Sequence, residues 1–140
     1  MAKRTILIID DEVSFAEMVK LNLEDTEDYE VRSEYKGIEG LAAVKEFKPD
    51  LVLLDIMLPD KDGFAILEEL KKDPQTKPIP VIMLTALKSD PVKFKAAMLY
   101  ADDFIVKPVT VRNLVEKIEE VLDNRIVEKL KKDSRGIIEH

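Results

Sequence analysis

The 140-residue sequence contains no cysteine, one histidine and only four glycines. Without cysteine there is neither a disulfide framework nor a thiolate metal site. No glycine-rich loop follows the first apolar run, which argues against a nucleotide- or flavin-binding fold. No apolar run approaches the roughly 20 residues of a membrane span, and the N-terminus lacks the apolar segment of a secretory signal. We therefore expect a cytoplasmic protein with no membrane partner.

Acidic residues outnumber basic ones, 29 against 22, and the formal net charge is −7. Non-specific binding of nucleic acid needs a basic face, so the charge argues against direct nucleic-acid binding by this domain. Acidic residues gathered in one crevice would instead attract a divalent cation. The chain has the length of one ordinary domain with a single core.

Strand-like apolar runs alternate with amphipathic segments, which is typical of a doubly wound α/β fold with a five-stranded parallel sheet. The second run alternates in polarity and suits an edge strand, whereas others are continuous and suit strands covered on both faces. The predicted strands are Thr5–Asp10, Glu30–Glu34, Leu51–Asp55, Pro80–Leu84 and Asp103–Val106. Five helices are expected, and the first three have clear apolar faces. These faces are formed by Phe15, Met18, Val19 and Leu23 in the first helix, by Ile38, Leu41, Val44 and Phe47 in the second, and by Phe64, Leu67 and Leu70 in the third.

The fifth predicted helix begins near Thr110 and is unusually long. Its apolar residues keep helical spacing beyond the expected end of the domain: Val115, Ile118, Leu122, Ile126 and Leu130. One interpretation is a long last helix that packs on its own domain. The other is a signalling helix that meets a partner or leads to an output domain. Periodicity does not choose between them, so residues 125–140 are assigned only as an extension of this helix with a frayed tail.

Polar residues stand where the buried runs end. Three of them are acids, one is a hydroxyl and one is an ammonium: Asp10, Asp11, Asp55, Thr85 and Lys107. Because the carboxyl ends of parallel strands meet at one edge, where α/β folds bind ligands, we expect these side chains to converge. Carboxylates and a phosphate are typical Mg²⁺ ligands, and a hydroxyl with an ammonium suits phosphoryl oxygens. A simple helix cap is the alternative for Asp10 and Asp11, but Asp55 after four apolar residues argues against it.

Four segments in this order resemble the receiver domain of bacterial two-component response regulators. They are Asp10 to Glu12, Asp55 to Gly63, Leu84 to Ala86 and Ala101 to Pro108. Each is weak alone, but the ordered set is specific. The resemblance implies a flavodoxin-like fold with strand order 2-1-3-4-5 and a receiver domain over residues 1–124.

The resemblance also implies how the site works. Asp55 would accept a phosphoryl group from a sensor histidine kinase or a phosphotransfer protein, with Mg²⁺ or Mn²⁺ as the cofactor. Asp11, Asp55 and the backbone carbonyl of Met57 would bind the metal, and Asp10 would hold a metal-bound water.

The remaining positions of the resemblance concern the phosphoryl group and the switch. Thr85, Ala86 and Lys107 would contact the phosphoryl oxygens, and the Lys107–Pro108 peptide bond would be cis. Thr85 and Phe104 would act as a switch that changes the face formed by the fourth helix, fifth strand and fifth helix. That face would meet an output domain or a protein partner.

The sequence departs from the family pattern at several positions. Tyr100 stands where many receivers have glycine, and a positive φ there would be awkward for tyrosine. Receivers that dimerise usually keep charge pairs across this region, and Asp103 and Lys117 could form one such pair. Asn113, however, occupies a position that is often acidic in those receivers. The sequence therefore does not decide whether the domain forms a homodimer. Met57 and Leu87 flank the site, and both are apolar. We expect the two to hinder an attacking water and to prolong the life of the phosphoryl group.

Two other function classes compete with a receiver. A Mg²⁺-dependent aspartyl-phosphate hydrolase of the haloacid-dehalogenase type needs a second Asp two positions after its nucleophile, where this chain has Met57. A docking module that works without phosphorylation would not need all the acids and Lys107. We therefore predict a receiver that is not an enzyme beyond its own phosphorylation and dephosphorylation.

Overall fold

The structure is a computed structural model that describes the backbone of residues 3–86 and 90–138, and their side chains except those of 90, 92–94 and 125–138. Strands and helices alternate as predicted, and each strand boundary lies within one residue of its expected position. The elements are β1 (Arg4–Ile9), α1 (Val13–Asp25), β2 (Tyr29–Glu34), α2 (Gly37–Phe47), β3 (Leu51–Asp55), α3 (Gly63–Lys72), β4 (Val81–Thr85), α4 (Asp90–Met98), β5 (Asp103–Val106) and α5 (Val111–Ile138).

The five strands form one parallel sheet in the order β2-β1-β3-β4-β5, which confirms the predicted order. β2 lies at an edge, as its alternating sequence indicated. Ile9 of β1 pairs with Leu54 of β3, and Asp55 pairs with Leu84 of β4. These registers bring the carboxyl ends of the three central strands to the same edge of the sheet.

The core has two layers, one on each face of the sheet. Side chains alternate between the faces along β1, because successive residues of a strand point to opposite sides. Ile6 and Ile8 therefore pack under α1 and α5. Leu7 and Ile9 pack under α2 and α3. This two-sided burial explains why the central strands are continuous apolar runs.

The predicted core-facing residues of α1 and α2 are partly wrong. Met18 is 40% exposed and Ile38 is 63% exposed, whereas Gly37 and Gly40 of α2 are buried. A Cβ atom on Gly40 would lie 2.7 Å from the side chain of Ile9. α2 therefore packs on the sheet through its backbone, and the large apolar residue beside the glycines turns outward. The predicted face of α3 is confirmed, since its members are buried: Phe64, Leu67 and Leu70.

Helix α5 is long, as predicted, and its 28 residues correspond to roughly 42 Å at 1.5 Å per residue. The hydroxyl of Thr110 accepts a hydrogen bond from the Asn113 backbone N–H at 3.1 Å, which confirms the predicted cap. Ile118 and Leu122 are buried against the sheet. The side chains of residues 126 and 130 lie outside the described set. No helix within the described residues is long and apolar enough to cross a membrane.

Tyr100 lies two residues after the end of α4 and has a φ of 64°. Its backbone N–H donates to the Ala97 carbonyl at 3.1 Å, and the Ala101 N–H donates to the Ala96 carbonyl at 3.0 Å. This pair of bonds is a Schellman motif, whose left-handed position usually holds glycine. The chain thus keeps the positive φ of the motif with a tyrosine in place, and the side chain is 77% exposed.

We expect Tyr100→Gly to stabilise the domain by about 0.5–1 kcal/mol. The left-handed backbone costs a non-glycine residue about 1–2 kcal/mol. Glycine removes this cost, but it lowers stability by roughly 0.5–1 kcal/mol because it makes the unfolded chain more flexible. The difference favours the glycine variant. Urea unfolding should show a higher midpoint at an unchanged slope. Tyr100→Ala is the matched control, because it removes the ring and keeps the Cβ atom. Equal stabilisation by both variants would contradict the backbone explanation.

Candidate functional site

Three aspartates meet at the carboxyl edge of the sheet. One carboxylate oxygen from each of Asp10, Asp11 and Asp55 lies within 4.8 Å of the other two. Asp10 follows β1 and Asp55 ends β3, and the two strands are neighbours. Asp10 is 0% exposed and Asp55 is 6% exposed, whereas Asp11 is open to solvent. We call these three residues the acid cluster.

The first two acids do not serve as the cap of α1. The helix begins at Val13, and its N-cap residue is Glu12, which makes no side-chain cap hydrogen bond within the described chain. Asp10 instead accepts a hydrogen bond from the Glu12 backbone N–H at 2.9 Å through Oδ1. This bond fixes the direction of the Asp10 carboxylate and leaves Oδ2 facing the fifth strand.

Lys107 closes the site from the end of β5. Its Nζ lies 2.6 Å from Asp10 Oδ2, 3.0 Å from Glu12 Oε1 and 3.7 Å from Asp55 Oδ2. The ammonium also lies 4.5 Å from the centre of the Phe15 ring, a cation–π contact. Burial alone would lower the pKa of Lys107, but hydrogen bonds to Asp10 and Glu12 outweigh burial and raise it. Lys107 is therefore a permanent cation at the acid cluster.

The other predicted residues lie around this group. Thr85 ends β4 next to β3 and is buried, and its carbonyl accepts a 2.6 Å hydrogen bond from the Lys107 backbone N–H. Ala86 is exposed beside it. Phe104 is partly buried against the core layer that contains α2 and α3. The Lys107–Pro108 peptide bond is cis.

Met57 lies at the rim of the site. Its backbone N–H donates to Asp55 Oδ1 at 3.2 Å, so the loop after β3 turns directly over the carboxylate. The Met57 side chain is 64% exposed. Leu87, the other predicted flanking residue, lies outside the described residues.

The contacts of Glu12 and Phe15 with Lys107 were not predicted. Glu12 is the N-cap residue of α1 and Phe15 lies in its first turn, whereas Lys107 directly follows β5, so no sequence spacing connects them. The only local signal is that Glu12 extends the acidic pair by one residue.

Asp55 is electrostatically strained. Burial, and then the negative charge of Asp10, raise the pKa of Asp55 to about 7. The charge of Lys107 and the hydrogen bond from Met57 act in the opposite direction and offset only part of this increase. Removing two ionised carboxylates from water is unfavourable unless a cation is close to both. The acid cluster holds three carboxylates, and the single positive charge of Lys107 can balance only one of them.

Asp55→Asn should stabilise the metal-free protein at pH 8, by roughly 2 kcal/mol. A carboxyl group whose folded pKa is raised contributes stability below its unfolded pKa, and this stability is lost as the pH rises from 3.8 to about 7. The amide of the Asp55→Asn variant has no charge, so its folding stability does not fall over this pH range. Urea unfolding in EDTA at pH 5 and pH 8 measures the effect, which should be larger at pH 8. A variant no more stable than the wild type at pH 8 would contradict the raised pKa.

The chain was compared with known proteins. The family model "Response regulator receiver domain" matches residues 6–119. The chain is 39% identical over 117 residues to the DNA-binding dual master transcriptional regulator RpaA of Synechocystis, covering 84% of this chain and 48% of that protein. It is 40% identical over 122 residues to the phosphate regulon transcriptional regulatory protein PhoB of Pseudomonas aeruginosa, covering 87% and 53%. The chain thus spans about half the length of these curated relatives.

A solved structure agrees with this assignment. The CheY-like response regulator receiver domain protein from Methanospirillum hungatei superposes with a TM-score of 0.84 at 36% identity, covering 91% of this chain and 99% of that one. The acid cluster and Lys107 lie within three of the four segments that resemble receiver domains. The chain belongs to the family of response regulator receiver domains, the signalling modules of two-component systems.

Proposed function

We propose that the domain takes a phosphoryl group onto Asp55, with Mg²⁺ or Mn²⁺ as cofactor, and that this changes the surface read by a partner. The observation that carries the proposal is the acid cluster beside Lys107. Three carboxylates lie within 4.8 Å of one another, and an ammonium lies 3.7 Å from Asp55. Phosphoryl transfer is catalysed mainly by positioning and charge, and both are supplied here.

The donor set of the cluster fits a small divalent cation. Mg²⁺ prefers oxygen ligands and keeps several waters, and all three side chains offer carboxylate oxygens. Asp11, Asp55 and the Met57 carbonyl would hold the metal, and Asp10 would hold one of its waters. Burial and the negative charge of Asp10 together raise the Asp55 pKa. When bound, the metal would offset the second of these causes.

The chain's own residues then have distinct roles in the transfer. An Asp55 carboxylate oxygen would form the new O–P bond as the P–N bond to a kinase or phosphotransfer histidine breaks, and the imidazole would leave. Lys107 would exchange its contact with Glu12 for a phosphoryl oxygen. The Thr85 hydroxyl and the backbone at Ala86 would bind the others. The new group brings about −1.5 to −2 charges and three strong acceptors.

The response would reach the surface through β4 and β5. Thr85 would move toward the phosphoryl group, and Phe104 would turn into the space that Thr85 leaves. Because a ligand shifts an equilibrium only by its different affinities for two states, this exchange must bias two arrangements of the α4–β5–α5 face. We propose that this face contacts an output domain or protein partner.

The extension of α5 beyond residue 124 is proposed as the connection to such an output domain. In support, the matched region covers only 48% and 53% of the two curated relatives named as transcriptional regulators. The α4–β5–α5 face could also form the contact between the two subunits of a homodimer. Lys117 Nζ lies 3.1 Å from Asp103 Oδ2 within one chain, so a dimer that used this pair between subunits would first have to break it.

Acetyl phosphate with Mg²⁺ should add one phosphoryl group to the wild type, detected by intact mass. Asp55→Asn should give no adduct, because the acceptor oxygen is lost. Asp50→Asn, at the opposite end of β3, is the matched control and should be labelled normally. An adduct that persists on Asp55→Asn would overturn the acceptor assignment, and equal labelling in EDTA would overturn the role of the metal.

Met57→Gln should shorten the phosphoryl lifetime by about tenfold, because a polar side chain above Asp55 can orient an attacking water. Met98→Gln is the control, since Met98 is 61% exposed and Met57 is 64% exposed. Loss of the adduct is followed by intact mass after acetyl phosphate is removed. A wild-type half-life of seconds, unchanged by polar substitution at both Met57 and Leu87, would contradict this explanation.

A further inference from the structure

Asp60 joins the loop after β3 to the start of α2. Its Oδ1 accepts a hydrogen bond from the Gly37 backbone N–H at 2.7 Å, and its Oδ2 accepts one from the Ile38 N–H at 3.0 Å. These N–H groups lie in the first turn of α2, where the helix itself provides no acceptor. Lys36, the N-cap residue, makes no side-chain cap hydrogen bond in the described chain. A carboxylate 23 residues away in sequence therefore caps this helix.

The electrostatics of Asp60 agree with this role. The hydrogen bonds from Ile38 and then Gly37 lower the pKa of Asp60, although the carboxylate lies at the surface. The helix dipole favours a negative charge at this point. Asp60 therefore stays ionised and bound to α2 across the neutral pH range.

The loop is packed closely on both sides of Asp60. A Cβ atom on Gly37 would lie 2.7 Å from Ile66 and 3.0 Å from Lys61, so α2 touches the loop without a side chain between them. At the loop's end, the Gly63 N–H donates to the Ile56 carbonyl at 2.9 Å. A Cβ atom on Gly63 would lie 2.3 Å from the Asp55 carbonyl oxygen. The loop from 57 to 62 is thus fixed at Gly63 by the strand and at Asp60 by α2.

We propose that Asp60 is a positioning residue for the metal-binding loop. It holds the segment that begins at Met57, whose backbone N–H binds Asp55 and whose carbonyl is assigned to the metal. This inference rests on the proposed function. Without the anchor on α2, the loop would be free before the metal binds and would have to become ordered on binding. The conformational entropy lost in that step would lower the metal affinity.

The test is a Mg²⁺ titration of the full chain, followed through the backbone amide signals of Met57 and Asp55 by NMR. Asp60→Ala should weaken Mg²⁺ binding by about tenfold, the usual scale for residues that orient metal ligands. Asp60→Asn keeps one carbonyl acceptor and should give an intermediate loss. Asp50→Ala is the matched control. Asp50 accepts the Thr5 N–H at 2.7 Å at the far end of β3, so its loss should lower stability without changing Mg²⁺ affinity.

Phosphorylation by acetyl phosphate provides a second readout that a purely structural role would not give. The slower rate of Asp60→Ala should recover to the wild-type rate at saturating Mg²⁺. A deficit that persists at saturation, or wild-type Mg²⁺ affinity in a folded Asp60→Ala or Asp60→Asn, would overturn the role of Asp60 and leave Asp55 as the acceptor. A wild type that neither binds Mg²⁺ nor takes a phosphoryl group would overturn the proposed function itself.

Discussion

Two carboxylates, Asp10 and Asp55, are held side by side at the ends of neighbouring strands, with 0% and 6% of their surface exposed. Among the side chains that the structure describes, Lys107 is the cation paired with both, and it binds Asp10 more closely than Asp55, at 2.6 Å against 3.7 Å. Burial, and then the negative charge of Asp10, raise the pKa of Asp55 to about 7. The rest of the site can be understood as what keeps these groups together and what would relieve their repulsion.

The scaffold keeps them together because the strands that carry them are paired and buried at the centre of the sheet. β1 and β3 are central strands, buried on both faces, and their register places the two aspartates at one edge. Gly63 lets the following helix begin directly against the end of β3. Holding Asp55 beside Asp10 and away from water opposes folding at pH values where Asp55 is ionised. A divalent cation bound at the acid cluster would replace this repulsion with attractive contacts.

The sequence predicted features that depend on local spacing. Strand ends, the convergence of Asp10, Asp11, Asp55 and Lys107, and the cap at Thr110 all follow from residue type and position along the chain. The outward turn of Ile38 did not follow, because it depends on the close approach of Gly37 and Gly40 to the sheet. The core-facing side of a helix is predicted from its large apolar residues alone, so the glycines were not considered. In α2 it is the glycines that allow the close approach to the sheet.

Two sets of contacts between distant segments were not predicted. Lys107 binds Glu12 and lies over Phe15, and Asp60 caps α2, because the fold brings separate loops together at the sheet edge. The sequence does contain one indirect indication of the cap that Asp60 provides to α2. Lys36 is a poor N-cap residue, so the first turn of α2 needs an acceptor from elsewhere. It does not say which acidic residue supplies it.

The central claim is that a buried carboxylate pair awaits a cation. The most direct measurement is the titration of the Asp55 side-chain carboxyl carbon by NMR, with EDTA and with saturating Mg²⁺. The account predicts a midpoint near 7 without metal and a clearly lower midpoint with Mg²⁺, because the cation favours the ionised form. A midpoint near 3.8, the ordinary value, in EDTA would contradict the account, and so would a midpoint that Mg²⁺ does not move.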